Sequence, residues 1–222
     1  MDINAACAGF MYALTTAAQF VAAGNSRCAW VVGADVMSGT INPADKKTYP
    51  LFGDAAGAAI LAPDASAGDG GILSYQIGSE GCGGEMLCIR AGGTRQAISA
   101  DALADGSQYL VMDGRNVFKW AVRVFDESAK NVMEDAGITA DQLGLVILHQ
   151  ANQRIIDSAV SGLHVPPEKV FVNLDRYGNT SGASIPLALD EAVRAGLVQR
   201  GDYLLLCGFG AGLAWGTALL RW

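Results

Sequence analysis

One cysteine near the start of the sequence stands in a setting that favours covalent chemistry. Cys7 lies among small residues in the segment 2–10 (DINAACAGF), where a helix is predicted to begin. The N-terminus of a helix presents unpaired N–H groups and a partial positive charge, and both stabilise a thiolate. We therefore expect Cys7 to have a lowered pKa and to act as a nucleophile. A buried structural cysteine is the alternative interpretation, and the segment alone does not decide between them.

A histidine follows a buried strand in the second half of the chain. His149 comes directly after the apolar run 145–148, where the next helix is predicted to begin. Ligands in α/β folds bind at the carboxyl ends of strands, so this position favours a functional histidine. A core histidine with satisfied hydrogen bonds is the alternative. The chain has only two histidines, and the second, His164, stands beside two prolines and outside any motif.

Two further segments combine small and polar residues at element boundaries. Residues 177–186 (YGNTSGASIP) contain Asn179 just before a predicted helix, and a turn with an N-cap would explain them equally well. Residues 208–212 (GFGAG) join two predicted strands. Their glycines either form a tight hairpin or allow backbone N–H groups to approach a substrate oxygen.

The elements that would position these residues alternate between helix and strand. Apolar periodicity predicts helices at 7–23, 115–136, 152–163 and 184–195, and strands at 28–33, 55–61, 72–77, 109–112, 143–149, 170–174, 203–208 and 213–221. This alternation favours an α/β architecture with mostly buried strands. Cys7 and Cys28 are 21 positions apart, as are Ser181 and Asp202, and each interval begins with a helix and continues into a strand. This faint repeat favours two related halves.

The composition excludes several classes of protein. A chain of 222 residues that is 51% hydrophobic and 17% charged can fill a sizeable core. A net charge of −7 argues against a general nucleic-acid binder. The five cysteines show no CxxC spacing, which argues against a zinc site and a disulfide framework. Since no apolar run is long enough to span a bilayer and no secretory signal is visible, we expect a cytoplasmic protein without membrane partners.

Taken in order, the segments resemble the thiolase superfamily, and within it the 3-oxoacyl-acyl-carrier-protein synthase III family. The resemblance covers the whole chain and is carried by residues 2–10, 52–59, 149–154, 178–189 and 208–216. It implies an α/β thiolase-like fold of two related halves in α-β-α-β-α layers. Residues 1–95 would form the remainder of the N-terminal half, and residues 96–222 the C-terminal half.

The resemblance also implies that the first half is incomplete. The family's opening strands and helices have no counterpart here, so we expect an N-terminally truncated chain or a second polypeptide that supplies the missing part. Without those elements an apolar sheet face would be uncovered. We therefore expect poor solubility and little catalysis from the isolated chain.

Particular residues are implied to bind and react. The catalytic set would be Cys7, His149 and Asn179, and the backbone N–H groups of Cys7 and Ala211 would form an oxyanion hole. Lys46 and Asn152 match positions that contact coenzyme A, although Lys46 replaces a frequent arginine and lacks its bidentate fork. Lys119 and Arg154 match basic positions that meet the carrier protein. The alternative interpretation of the coenzyme A and carrier-protein positions is that each is an ordinary solvated surface residue.

The activity implied is a decarboxylative Claisen condensation. An acyl-CoA primer would load Cys7, and malonyl-acyl carrier protein would then react to give a 3-oxoacyl carrier protein, initiating fatty-acid synthesis. Neither a metal nor a redox cofactor is expected, and the family's assembly would be a homodimer. The alternatives are a related acyltransferase for a secondary metabolite and a non-catalytic thiolase-fold subunit.

Overall fold

The computed structural model describes residues 1–63 and 70–222, which contain six α-helices and eight strands. The helices are α1 (Gly9–Ala22), α2 (Ala100–Asp105), α3 (Gly114–Ala136), α4 (Gln153–Gly162), α5 (Leu174–Tyr177) and α6 (Ser184–Arg194). The strands are β1 (Ala29–Val36), β2 (Asp54–Leu61), β3 (Gly71–Ser79), β4 (Leu87–Ile89), β5 (Leu110–Met112), β6 (Leu143–Leu148), β7 (Tyr203–Gly210) and β8 (Ala214–Arg221).

A four-stranded sheet in the order β3-β8-β7-β6 lies at the centre. Strands β6 and β7 are parallel, and the other two pairs are antiparallel. Nearly every residue of β7 and β8 is buried. Because both faces of the sheet are covered, these strands are continuous apolar runs rather than alternating ones.

Helices cover the two faces of this sheet and form two separate cores. On one face α3 and α4 bury residues such as Phe125 and Ile156 against the sheet. On the other face α1 and α6 bury Phe10 and Ile185. The helix α3 is long and amphipathic, and Gly137 in the left-handed conformation ends it.

A second, antiparallel sheet of β1 and β2 packs on the outside of α1 and α6. An added Cβ at Gly33 would lie 2.4 Å from the Gly182 carbonyl oxygen, and one at Gly57 would lie 2.7 Å from the Leu187 nitrogen. Only glycine allows this close approach of the strands to the start of α6. The opposite face is apolar and exposed: Trp30, Val32, Val36 and Ile60 are 74%, 55%, 71% and 58% exposed. We call these four residues the outer face.

The observed elements confirm the α/β prediction. The predicted layers occur as α3 and α4, the central sheet, α1 and α6, and the β1–β2 sheet; in the described residues no helix covers the outer face. The predicted division at residue 95 assigns β3 to the first half, whereas the structure pairs β3 with β8. In the described part of the chain, no helix is both long and apolar enough to cross a membrane.

Two local predictions differ from the structure. The strand predicted at 170–174 is reduced to a single bridge from Val170 to Val146, because a 3-10 turn at Pro167–Lys169 precedes it and α5 begins at Leu174. The short strand β4 and the helix α2 were not predicted. Both are short elements in a glycine-rich stretch, where apolar periodicity gives little signal.

Candidate active site

A cavity of about 360 Å³ opens where the central sheet, α3, α4 and the start of α1 meet. Cys7, His149 and Asn179 all line it, together with Ala211. Three predicted catalytic residues that lie far apart in the sequence are thus brought to one cavity. Most of the remaining lining is apolar.

Cys7 lies in a 3-10 turn at Ala6–Ala8 that leads directly into α1. Its Sγ donates to Ser181 Oγ at 3.5 Å. Burial raises the pKa of the Cys7 thiol to about 11; the hydrogen bond to Ser181 lowers it and the charge of Asp35 adds to the rise. The predicted lowering of this pKa is therefore wrong, because the loss of solvent outweighs the stabilisation at a helix start.

The end of β7 lies directly against the cysteine. A Cβ added at Gly210 would be 2.7 Å from Cys7 Cβ and 3.0 Å from Cys7 Sγ. Ala211 follows and shares the cavity, and its backbone lies outside the left-handed region, so its side chain adds no strain there. Cys7 and Ala211 therefore line the same cavity, and the oxyanion hole formed by their backbone N–H groups stays a prediction.

His149 is held at the end of β6 by three contacts. Its backbone N–H donates to the Cys207 carbonyl at 2.7 Å, its Nδ1 lies 2.7 Å from Ser184 Oγ, and its ring meets the Phe209 ring edge-on with centroids 5.5 Å apart. Burial lowers the pKa of His149 to about 3. The imidazole is therefore neutral at physiological pH.

Asn179 lies in the loop between α5 and α6, and backbone contacts fix it. Its N–H donates to the Leu51 carbonyl at 2.7 Å, and its carbonyl accepts the N–H of Gly53 at 3.0 Å. Its side-chain oxygen accepts the Ser181 N–H at 2.9 Å. Because the amide oxygen is used inside the loop, the amide NH₂ is the group left to face the cavity.

Asp35 anchors the same loop, and sequence reasoning missed it. This residue near the end of β1 accepts the Gly182 N–H at 2.8 Å with Oδ2 and lines the cavity. The bond spans 147 positions of sequence. Ser184 and Phe209 were likewise missed as contacts of His149, although both lie inside segments that had been singled out. The only signal in the sequence that could have indicated Asp35 is its position as a polar residue just after the strand predicted at 28–33.

The four predicted binding residues differ in their relation to the cavity. Asn152 lines it, and its Oδ1 also caps α4 by accepting the Ile155 N–H at 3.0 Å. Lys119 on α3 and Arg154 on α4 are exposed, and each lies within two positions of a cavity-lining residue, Val117 or Ile155. Lys46 is exposed and is not among the lining residues.

An apolar arm of the cavity is formed by the paired strands β4 and β5. Leu87, Ile89, Leu110 and Met112 line it. An apolar cavity lining of this kind suits a flexible hydrocarbon or pantetheine-like chain. Within the described residues, no group of three His, Cys, Asp or Glu side chains has an arrangement that could hold a metal ion.

The arrangement can perform acyl transfer and stabilise an enolate. A thiol that can attack a thioester carbonyl shares the cavity with Ala211, whose backbone N–H is a candidate donor to the resulting oxyanion. Two neutral side chains, an imidazole and a carboxamide, share the same cavity and can donate hydrogen bonds to a developing negative oxygen.

Two family models match the chain. Residues 1–81 match the model for 3-oxoacyl-[acyl-carrier-protein (ACP)] synthase III, and residues 133–222 match the model for the C terminal of the same enzyme.

Individual relatives agree with these models. A beta-ketoacyl-[acyl-carrier-protein] synthase III of Rhodopirellula baltica is 68% identical over 100% of this chain and 69% of its own length. The enzyme of the same name from Symbiobacterium thermophilum is 52% identical over 100% of this chain and 66% of its own. The crystal structure of 3-oxoacyl-[acyl-carrier-protein] synthase III from Aquifex aeolicus VF5 superposes with a TM-score of 0.90 at 41% identity, covering 100% of this chain and 67% of that one. The chain therefore spans about two thirds of the length of the relatives that it matches, and its fold is that of this thiolase-like family.

Proposed function

This chain belongs to the 3-oxoacyl-[acyl-carrier-protein] synthase III family of condensing acyltransferases, and from that premise we propose how its own residues perform the reaction. The proposed reaction joins an acyl-CoA primer to malonyl-acyl carrier protein and gives a 3-oxoacyl carrier protein, CO₂ and free coenzyme A. This product begins the growth of a fatty acid. The observation that carries the proposal is the presence of Cys7, His149 and Asn179 in one cavity.

The first step is acyl transfer to Cys7. The thiol is protonated at rest because burial raises its pKa to about 11. As the proton leaves, Sγ attacks the thioester carbonyl, a C–S bond to Cys7 forms, and the C–S bond to coenzyme A breaks. Coenzyme A departs as a thiol with that proton. The N–H groups of Cys7 and Ala211 stabilise the tetrahedral oxyanion.

The second step is decarboxylation of the malonyl group. The C–C bond to its carboxylate breaks, CO₂ leaves, and the electron pair forms an enolate. His149 Nε2 and Asn179 Nδ2 donate hydrogen bonds to the enolate oxygen, where charge appears only as the reaction proceeds. The enolate carbon then attacks the acyl-cysteine carbonyl, the C–S bond to Cys7 breaks, and Cys7 takes up a proton. That proton comes from solvent, because the proton of the resting thiol left with coenzyme A.

The cavity also accounts for the substrates. The apolar arm between β4 and β5 accepts the acyl or pantetheine chain. Asn152 Nδ2, which has no hydrogen-bond partner among residues 1–63 and 70–222, is available to that chain. Lys119 and Arg154 present positive charge beside the cavity to an acidic carrier protein. Lys46 meets a phosphate of coenzyme A as a point charge.

The two alternative functions are not favoured. Both family models and the relatives named above are synthase III enzymes, which argues against a separate secondary-metabolite acyltransferase. A non-catalytic subunit has no chemical need for a thiol, an imidazole and a carboxamide in one cavity.

Intact-mass spectrometry after incubation with acetyl-CoA tests the proposal. We expect one acetyl adduct that disappears in Cys7→Ala and persists in Cys82→Ala, because Cys82 is an exposed thiol outside the cavity. Adding malonyl-acyl carrier protein should then remove the adduct and release CO₂. An adduct that survives in Cys7→Ala, or an acetyl-Cys7 that malonyl-acyl carrier protein leaves unchanged, would contradict the proposal.

A further inference from the structure

Ser184, the first residue of α6, lies behind His149 and outside the cavity. It is 1% exposed and is not among the residues that line the cavity. Its Oγ is 2.7 Å from His149 Nδ1, which is a short distance for this pair of atoms. A second contact comes from the backbone N–H of Gln150, which donates to the same Oγ at 3.4 Å.

The hydrogen atoms of this cluster can be assigned from these two contacts. The Gln150 N–H can only donate, so Ser184 Oγ is an acceptor in that bond. The hydroxyl has one hydrogen of its own, and within the described residues His149 Nδ1 is the only neighbour that can accept it. The hydroxyl therefore donates to Nδ1, and the neutral imidazole carries its hydrogen on Nε2.

The opposite tautomer would leave a buried donor without a partner. If Nδ1 carried the hydrogen, Ser184 Oγ would accept two hydrogen bonds and its own O–H would have no acceptor among the described residues. An unsatisfied buried donor is costly, so the Nε2–H tautomer is the more stable one.

We infer that Ser184 is a positioning residue that fixes His149 as the Nε2–H tautomer and so keeps its donor directed into the cavity. The tautomer itself does not depend on the proposed function. Its consequence does: in the proposed reaction the enolate oxygen meets an N–H of His149 rather than a lone pair. The wrong tautomer would place two lone pairs opposite each other and would remove one of the two donors to the enolate.

The tautomer can be observed directly by NMR, whether or not the preparation is active. With ¹⁵N-labelled histidine in a His164→Asn background, His149 is the only histidine in the spectrum. Long-range ¹H–¹⁵N spectra at neutral pH should show a protonated Nε2 and an unprotonated Nδ1. In Ser184→Ala we expect the Nδ1 signal to shift and the Nδ1–H tautomer to become populated. A protonated Nδ1 in the chain with Ser184 intact would overturn the inference, and that measurement needs no variant of Ser184.

Measuring acetyl loading of Cys7 and condensation with malonyl-acyl carrier protein separately distinguishes a positioning role of Ser184 from a purely structural one. Ser184→Ala should load Cys7 from acetyl-CoA within about twofold of the parent, whereas release of CO₂ from malonyl-acyl carrier protein should fall by about tenfold or more. Ser184→Thr retains the hydroxyl and should recover condensation. Equal losses in loading and condensation, or no loss in either, would overturn the inference. A parent chain that shows the Nε2–H tautomer but never condenses would instead contradict the proposed function.

Discussion

Cys7, the proposed nucleophile, is a protonated thiol at neutral pH because burial raises its pKa. Its pKa of about 11 means that the thiolate fraction rises about tenfold for each pH unit below that value. Alkylation of Cys7 by iodoacetamide, followed by peptide mapping, should therefore accelerate steadily from pH 7 to pH 9.5. A plateau near pH 8 would contradict this prediction.

Replacing Asp35 with asparagine should lower the pKa of Cys7 while keeping the hydrogen bond to the Gly182 N–H. The Asp35 charge raises the pKa of Cys7, and Asp35→Asn removes that charge while its side-chain oxygen can still accept the Gly182 N–H. We expect Cys7 to be alkylated about two- to fivefold faster at pH 8 in this variant, because its pKa falls. An unchanged or slower rate would show that Asp35 acts on the loop rather than on the thiol.

The buried imidazole predicts a specific loss of stability in acid. The pKa of His149 is depressed from 6.5 to about 3 on folding, so its contribution is complete above pH 6.5 and is lost as the pH falls towards 3. The loss is about 1.4 kcal/mol per pH unit, or about 2 kcal/mol by pH 5. Urea unfolding at pH 7 and pH 5 should show that His149→Gln lacks this extra loss, while His164→Asn, at an exposed histidine, retains it.

At the scale of elements, the approach of β7 to the turn that carries Cys7 leaves no room for a side chain. Gly210→Ala would place a Cβ 2.7 Å from Cys7 Cβ, so the strand or the cysteine must move. We expect acetyl loading of Cys7 to fall by about 10²-fold or more, since a misplacement of about 1 Å at a reacting group has that effect. Loading should be unaffected in Gly81→Ala, where an added Cβ meets no atom within 4 Å.

The sequence predicted which three residues would meet in one cavity better than it predicted their contacts, and the reason is physical. Cys7, His149 and Asn179 stand at boundaries between elements, which local periodicity and helix-start signals reveal. The Asp35 contact with Gly182 and the Ser184 contact with His149 span 147 and 35 positions, so only the tertiary fold brings these groups together. The pKa of Cys7 was predicted in the wrong direction for the same reason, because burial is a property of the packed molecule.

At the scale of the whole molecule, the outer face of the β1–β2 sheet presents contiguous apolar side chains to solvent. Trp30 and Ile60 are directly paired across the two strands. Such patches bind apolar partners or promote self-association. We expect Trp30→Thr combined with Ile60→Lys to reduce both the fluorescence of a bound hydrophobic dye and light scattering. Leu197→Thr, which removes an exposed apolar residue elsewhere, should change neither; equal effects in the two variants would contradict a role for this face.

The position of β8 in the central sheet has a consequence for synthesis on the ribosome. This strand, the last of the described strands in the sequence, lies between β3 and β7 rather than at an edge. Until residue 221 has left the exit tunnel, β3 has no neighbour in the sheet, and the apolar faces of α1 and α3 lack part of the surface on which they pack. The nascent chain must therefore remain in a partly open state until β8 has emerged, a stage at which exposed strand edges favour aggregation and chaperones act.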